Sequence, residues 1–510
     1  MLLGDKKHIP AGYLALIQKL DLKVLPHFRV SYVTLTGVRE VIFRDPQEIH
    51  TYSKKYLPKN PEDVFEQLEF AVTYDGINLE ILKAVFLTIS KENMASYVQQ
   101  HPTGKMARRL WYLYEFLTKI QLDIPNAKGG SYTKLLDEKE YYTGISIRSV
   151  RHYIDDNLLG NAMFCPVVRR TEELAAFEKS DLKKQASEII RIYDPQVVAR
   201  ATDYLYFKET KSSYEIEKER PDQQRLTRFS TLLEKSGEID YLSKEKLIEL
   251  QNLIVDKRFS DPDFRGVQNY IGTTLSLGRE KIHYISPKPE NVSDLMNGLL
   301  ACYERMRDTN INPVIVASVI SFGFVFIHPF NDGNGRIHRF LIHNILSKLG
   351  FTPDNMIFPV SAVILKDLQS YDQCLERFSK LIMEAIENYQ IDTNGELKVN
   401  EETLQYYQYI DFTRFAEYLF SCIKSTIQKD FPEQLDYLVA YDKTKKSIQN
   451  IVDMPDRLIN LIINFILQNN GKLSSQKRDK YFFELSEEEL QSIENVVQEN
   501  MSTIFNKIKD

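Results

Sequence analysis

The chain has 510 residues, 43% of them hydrophobic and 27% charged, with a formal net charge of −6. This is the composition of a soluble globular protein with room for two to four domains, and the charge balance gives no ground for a nucleic-acid or membrane partner. Four cysteines, Cys165, Cys302, Cys374 and Cys422, lie far apart and read as reduced thiols; the opening Met1–His8 lacks the apolar run of a secretion signal, so a cytoplasmic location is expected.

Residues 1–190 are the least legible part. Phe28–Leu35 and Glu40–Phe43 look like short strands, Leu79–Leu87 and Ala107–Leu117 look helical, and Ala127–Pro166 is rich in loop signals. Arg148, Arg151 and His152 invite a DNA-contact reading, but no helix-turn-helix pattern surrounds them and a solvated helix face is the better expectation. The aromatic run around Trp111 reads as core. Val197–Glu217 has the pattern of one helix, stopped by Arg220-Pro221. Residues 264–289 alternate about Leu277-Gly278 as a β-hairpin does. Val292–Arg307 and Leu365–Tyr389 read as helices and Thr393–Glu396 as a linker. The remainder reads as helical, with a stop at Asn469-Asn470-Gly471. The basic run Lys472–Lys480 meets glutamates at once and reads as mixed solvated surface.

The most informative stretch is His328-Pro329-Phe330-Asn331-Asp332-Gly333-Asn334-Gly335-Arg336-Ile337-His338-Arg339. The segment before it, 312–327, is almost wholly apolar, long enough for a buried helix and too short and interrupted for a membrane span. The segment after it has apolar residues at 337, 341, 342 and 345, which is helical spacing closed by Gly350. The motif therefore sits in a tight loop between two helices. A helix N-terminus attracts phosphate. Gly333 and Gly335 let backbone approach an anion, and Arg336 and Arg339 share a face of the first turn. Asp332 suits Mg²⁺ bound together with phosphates, and His328 suits a general base. There is no Walker A ending and no His-Glu-x-x-His; His338 and His343 read as surface or packing residues rather than metal ligands.

This stretch resembles the signature of the Fic family, His-Pro-Phe-x-(Asp/Glu)-Gly-Asn-Gly-Arg-x-x-Arg, with every fixed position filled. The resemblance covers roughly residues 200–390. It implies a helical core with a β-hairpin flap in 191–390; the residue patterns themselves read as a mixed α/β region over 1–190 and a helical region over 391–510, so the fold class expected is mainly α. It implies a protein adenylyltransferase that moves AMP from Mg²⁺-ATP to a Ser, Thr or Tyr hydroxyl of a target protein, itself included. His328 would be the base and Asp332 the Mg²⁺ ligand. Gly333, Asn334 and Gly335 would cradle phosphate with Arg336, and Arg339 would take the γ-phosphate. Tyr270, Ile271 and Gly272 would lie on the flap, which pairs with an extended target segment.

Self-inhibited members carry Ser/Thr-x-x-x-Glu-Gly/Asn on a helix. Ser213 and Glu217 fit here, with Lys218 in place of the Gly or Asn, and Glu217 would grip Arg339 in a bidentate contact. Ser230 and Glu234 fit the spacing too, but Glu217 is preferred for its position ahead of the core. The resemblance allows a homodimer. It also leaves open transfer of UMP, phosphate or phosphocholine, and removal of AMP. Outside enzymes, a nucleotide-sensing or DNA-binding regulatory module is the alternative.

Overall fold

The computed structural model describes residues 8–45, 47–128, 130–275, 280–353, 356–392 and 394–502. The fold is mainly helical with four small sheets among the described residues.

The N-terminal region is mixed, as its sequence suggests. Strands β1 (His8–Ala11), β2 (Arg29–Thr34), β3 (Glu40–Arg44) and β4 (Gln47–Ser53) form one sheet in the order β1-β2-β4-β3, with β2 and β4 parallel; α1 (Tyr13–Leu20) follows β1. Helices α2 (Val64–Phe70), α3 (Leu79–Thr88), α4 (Lys91–Gln100) and α5 (Lys105–Thr118) surround a core centred on Trp111. The loop-rich stretch carries three short strands, β5 (Thr133–Lys134), β6 (Ile147–Ser149) and β7 (Ile154–Asp156). Here one expectation is corrected. Arg148 lies on β6, and Arg151 and His152 lie in the turn after it, where both bind Glu115 of α5 at 2.9 and 3.1 Å. Arg151 and His152 form a largely buried cluster with Glu115 rather than a solvated helix face, because α5 presents a carboxylate beneath them, while Arg148 stays exposed and pairs with Asp155 at 3.2 Å.

The central elements are α6 (Glu172–Lys179), α7 (Leu182–Ile192), α8 (Pro195–Ile216), α9 (Gln223–Glu234), α10 (Lys244–Ile254), the hairpin β8 (Tyr270–Thr274) and β9 (Glu280–Ile285), α11 (Pro289–Arg307), α12 (Pro313–Ile327) and α13 (Asn334–Lys348). Helix α12 is the hub. Asn312 caps it by accepting from the Val314 amide at 3.0 Å, Pro313 supplies the pre-set first turn, and every side chain from Val314 to Ile327 is buried. Each large apolar side chain so buried contributes about 2 kcal/mol. Helix α13 ends in a Schellman turn: Gly350 takes φ 64°, its amide donates to Ser347 O, and the Phe351 amide donates to Leu346 O. The hairpin pairs Tyr270 with Ile285 and Thr274 with Glu280; its expected tip, Leu277-Gly278, lies outside the described residues.

Beyond α13 the sequence reading needs two corrections. Leu365–Tyr389 is not one helix. It divides into α14 (Val360–Lys366) and α15 (Leu368–Ala385) at Asp367, whose side chain accepts from the Ser370 amide and starts the second helix. Of the expected linker, Thr393 lies outside the described residues and 394–396 precede the second strand of a hairpin, β10 (Tyr389–Ile391) with β11 (Leu397–Val399). Helices α16 (Leu404–Gln408), α17 (Thr413–Ser425) and α18 (Phe431–Ile451) follow. Residues 404–435 share the core of α12, so that core continues past residue 390. The end of α18 joins α19 (Asp456–Gln468), α20 (Ser475–Tyr481) and α21 (Glu487–Asn500) around a separate core. All four cysteines are free and buried. Among the described residues no helix is long and apolar enough to cross a membrane.

Candidate active site

The site lies where α12 stops and α13 starts. The chain leaves α12 through His328, which takes the left-handed conformation with φ 54°. That conformation costs a non-glycine residue about 1 kcal/mol, small against the burial that holds α12. It turns the imidazole out of the helix. Nδ1 lies 3.0 Å from the carbonyl of Val325, so Nδ1 carries the hydrogen and donates it, leaving the Nε2 lone pair open. Burial is the main force lowering the His328 pKa to about 4, with Arg265 adding to it and Glu217 and Asp332 opposing it. At neutral pH the ring is an uncharged base.

The loop that follows is held from three sides. The Asn334 side chain closes it by accepting from the Phe330 amide at 3.0 Å and donating to the Phe330 carbonyl at 2.8 Å. Asp261 accepts from the Asn331 amide and side chain at 2.9 and 2.7 Å. Gln251 of α10, itself bound to Asp261, reaches the Asp332 carbonyl at 3.4 Å. Gly333 takes φ 90°, which only glycine adopts at little cost, and α13 begins at Asn334. No side chain caps α13, so the amides of its first turn face the site without intrahelical partners. Such amides can accept an anion, and the Glu217 carboxylate stands beside them. A Cβ added at Gly335 would overlap the Glu217 carboxylate, so glycine is what lets that group approach the helix start.

Arg336 and Arg339 are both buried, and both are taken. Arg339 Nη2 lies 2.8 Å from Glu217 Oε1. The expected bidentate contact is corrected: a single carboxylate oxygen of Glu217 is engaged, and Ser213 supplies the rest. The Ser213 hydroxyl accepts from Nε at 2.9 Å and its carbonyl from Nη2 at 2.8 Å. Ser213 is on the last turns of α8 and Glu217 caps it, so one helix end delivers both groups. Arg336 Nη2 sits between Asp332 Oδ1 at 2.9 Å and Glu219 Oε1 at 2.8 Å. Glu219 was not among the residues singled out from sequence; the run Glu215, Glu217, Glu219 is the signal that would have found it. Glu234, the other spacing match, ends α9 and makes no described contact with Arg339. Lys218 stands at φ 57°, where glycine or asparagine fits best.

His338 and His343 are both fully buried on α13, which corrects the surface half of their expectation and leaves the packing half. His343 Nε2 meets Glu209 of α8 at 2.8 Å, and His338 packs edge-on against Phe322. Tyr270, Ile271 and Gly272 all lie on β8, with Ile271 and Gly272 exposed. Among the described residues no group of three or more His, Cys, Asp or Glu side chains is placed to hold a metal ion. Asp332 is half exposed and paired with Arg336, so it could supply a cation with one ligand only, the others coming from phosphate and water.

A family model described as the Fic/DOC family matches residues 241–346. A protein adenylyltransferase Fic of Culex quinquefasciatus is 29% identical over 128 residues, which is 24% of this chain and 23% of that protein. A Fido domain-containing protein of Dictyostelium discoideum is 36% identical over 90 residues, 18% of this chain and 63% of its own length. A Fic family protein from Desulfovibrio desulfuricans overlays with a TM-score of 0.36 at 18% identity, covering 64% of this chain and 84% of that one. The chain spans about a quarter of the length of the adenylyltransferase it matches.

Proposed function

From the premise that residues 241–346 are a Fic-type domain, we propose that the protein is a protein adenylyltransferase restrained by the end of α8. The hydroxyl of a Ser, Thr or Tyr in a target protein attacks the α-phosphorus of ATP. The new bond is P–O to the target, the bond broken joins the α-phosphorus to the bridging oxygen, and pyrophosphate leaves. The hydroxyl proton passes to Nε2 of His328, whose other nitrogen is held by Val325 O at 3.0 Å. The first-turn amides of α13 and the guanidinium of Arg336 stabilise the phosphates, and Arg339 receives the γ-phosphate. Asp332 is the residue that would hold Mg²⁺, which supplies charge neutralisation to the phosphates.

One observation carries the proposal. The Glu217 carboxylate stands at the helix start, against Gly335 and on Arg339, where an anionic phosphate belongs. A site built for anions and filled by the chain's own carboxylate is a restrained anion site. The target would be an extended segment added to the exposed β8, which accounts for a requirement of shape rather than of sequence. A cytoplasmic location and a homodimer remain part of the proposal.

The donor is tested with the Glu217→Gly protein and ATP labelled either at the α- or at the γ-phosphate, with UTP alongside. Label retained on protein from the α position alone is expected. Label from the γ position, or from UTP in preference to ATP, would replace AMP transfer with phosphate or UMP transfer.

A further inference from the structure

Arg265 is buried, yet among the described residues no carboxylate pairs with it. Burying a guanidinium without a counter-ion is costly unless its donors are spent elsewhere. They are spent on backbone carbonyls. Nε donates to His328 O at 2.7 Å, Nη1 to Val267 O at 2.8 Å, and Nη2 to Pro287 O at 2.6 Å and Ile327 O at 3.5 Å. The Arg265 amide adds a bond to Pro329 O at 2.8 Å. These acceptors belong to three pieces of chain: the base of the first hairpin arm, the base of the second, and the turn carrying the catalytic histidine. Two neighbours support the same junction. Asn269 donates to Phe330 O at 3.2 Å and Tyr284 to Phe326 O at 2.5 Å, but each leaves from one arm only.

We propose that Arg265 is a positioning residue that fixes the target-binding hairpin β8–β9 relative to His328. The inference rests on the adenylyltransferase reading for its catalytic consequence and on geometry alone for the mechanical coupling. The argument is one of reach. A target segment paired to β8 brings its hydroxyl to the α-phosphorus only if β8 keeps a set distance from Nε2 of His328. A two-stranded hairpin has little stability of its own and cannot keep that distance unaided. A planar guanidinium spreads five donors over a rigid fork and so spans three chain segments at once, whereas the three donors of an ammonium radiate from one atom on a flexible stem. Arg265 touches neither the anion site nor the ion pairs of Arg336 and Arg339. Its role is thus separable from nucleotide binding.

The test uses the full-length Glu217→Gly protein as parent, with Arg265→Gln and Arg265→Lys added singly. Hydrogen exchange is read first, because it does not depend on the chemistry. The expected result is faster exchange in residues 267–274 and 327–331 together in Arg265→Gln, with α10 and α21 unchanged, and a smaller change in Arg265→Lys. Exchange unchanged in both segments, or raised in only one, overturns the coupling. Transfer of AMP and affinity for a non-hydrolysable ATP analogue are read next. A positioning role predicts transfer lower by about a hundredfold, the scale of an ångström's misplacement, with analogue affinity held within about threefold. Loss of analogue affinity in parallel with transfer overturns the proposal in favour of general destabilisation. If the parent itself transfers no AMP, the adenylyltransferase reading fails, while the exchange result still decides whether Arg265 couples hairpin to loop.

Discussion

Among single residues, Lys218 is the least comfortable part of the restraint. It occupies the left-handed conformation directly after Glu217, at a cost of about 1 kcal/mol for a side chain with a Cβ. Whatever strains the turn after α8 weakens the hold of Glu217 on Arg339. Lys218→Gly is therefore expected to tighten the restraint and lower basal transfer by about fivefold, the equivalent of that strain. Unchanged or higher basal transfer, measured on protein of unchanged secondary structure, would show that the turn is not under load. His328 is the converse case. Its left-handed backbone is stabilised by the whole of α12, and the same backbone turn places Nδ1 on the Val325 carbonyl and leaves Nε2 open. The motif made that residue legible from sequence alone. Arg265 was not legible, because its partners are carbonyl oxygens, which every residue has and no pattern marks. Gln251 and Asp261 escape for a related reason: they act on the loop from other elements, one of them on α10.

At the scale of elements, the end of α8 and the start of α13 form one device. Two glutamates from a three-residue stretch hold the two arginines of one helical turn. Two arginines at a helix N-terminus oppose the helix dipole, so a carboxylate for each stabilises the arrangement. Both glutamates are partly exposed, and each pair contributes on the order of 1 kcal/mol after solvent screening. Glu217→Gly removes the carboxylate from Arg339 alone and leaves that arginine its bonds to Ser213. Adding Glu219→Gln is expected to tighten binding of a Mg²⁺-ATP analogue by about a further fivefold, from release of Arg336 and, through it, of Asp332. Equal affinities by calorimetry would mean that Glu219 only neutralises Arg336. Sequence reading found α8, α12, α13 and the hairpin because each carries a strong periodic or capping signal. It starts one helix at Leu365, inside α14, and runs it to Tyr389, past the end of α15, because only a side-chain cap at Asp367 marks where α15 begins.

Across the whole molecule, four hydrophobic clusters lie among the described residues, and their titratable surroundings differ. In the N-terminal region, burial raises Glu80 from 4.5 to about 8 and Asp75 from 3.8 to about 7. A folded state that holds a proton the unfolded state has lost is stabilised most below the unfolded pKa. That contribution fades as pH rises through the folded value, by up to about 1.4 kcal/mol per pH unit for each group. Exchange protection of α3 and α5, corrected for intrinsic rates, is therefore expected to decline from pH 5 to pH 8. Glu80→Gln keeps the acceptor for the Leu25 amide, which Glu80 binds at 2.9 Å, and should flatten the decline. An equal slope in both proteins would assign the dependence elsewhere. In the C-terminal unit the basic run is engaged at home: Lys477 lies 4.2 Å from the Phe465 ring and Arg478 pairs with Glu487.

The most direct measurement of the central claim is AMP transfer from α-labelled ATP with Mg²⁺, to the protein itself and to a cell lysate. It compares wild type, Glu217→Gly, and Glu217→Gly with His328→Ala. The account predicts weak label in wild type, at least about tenfold more once Glu217 no longer competes for the γ-phosphate site, and none once His328 is gone. Label that persists without His328, or that fails to rise without Glu217, would contradict it.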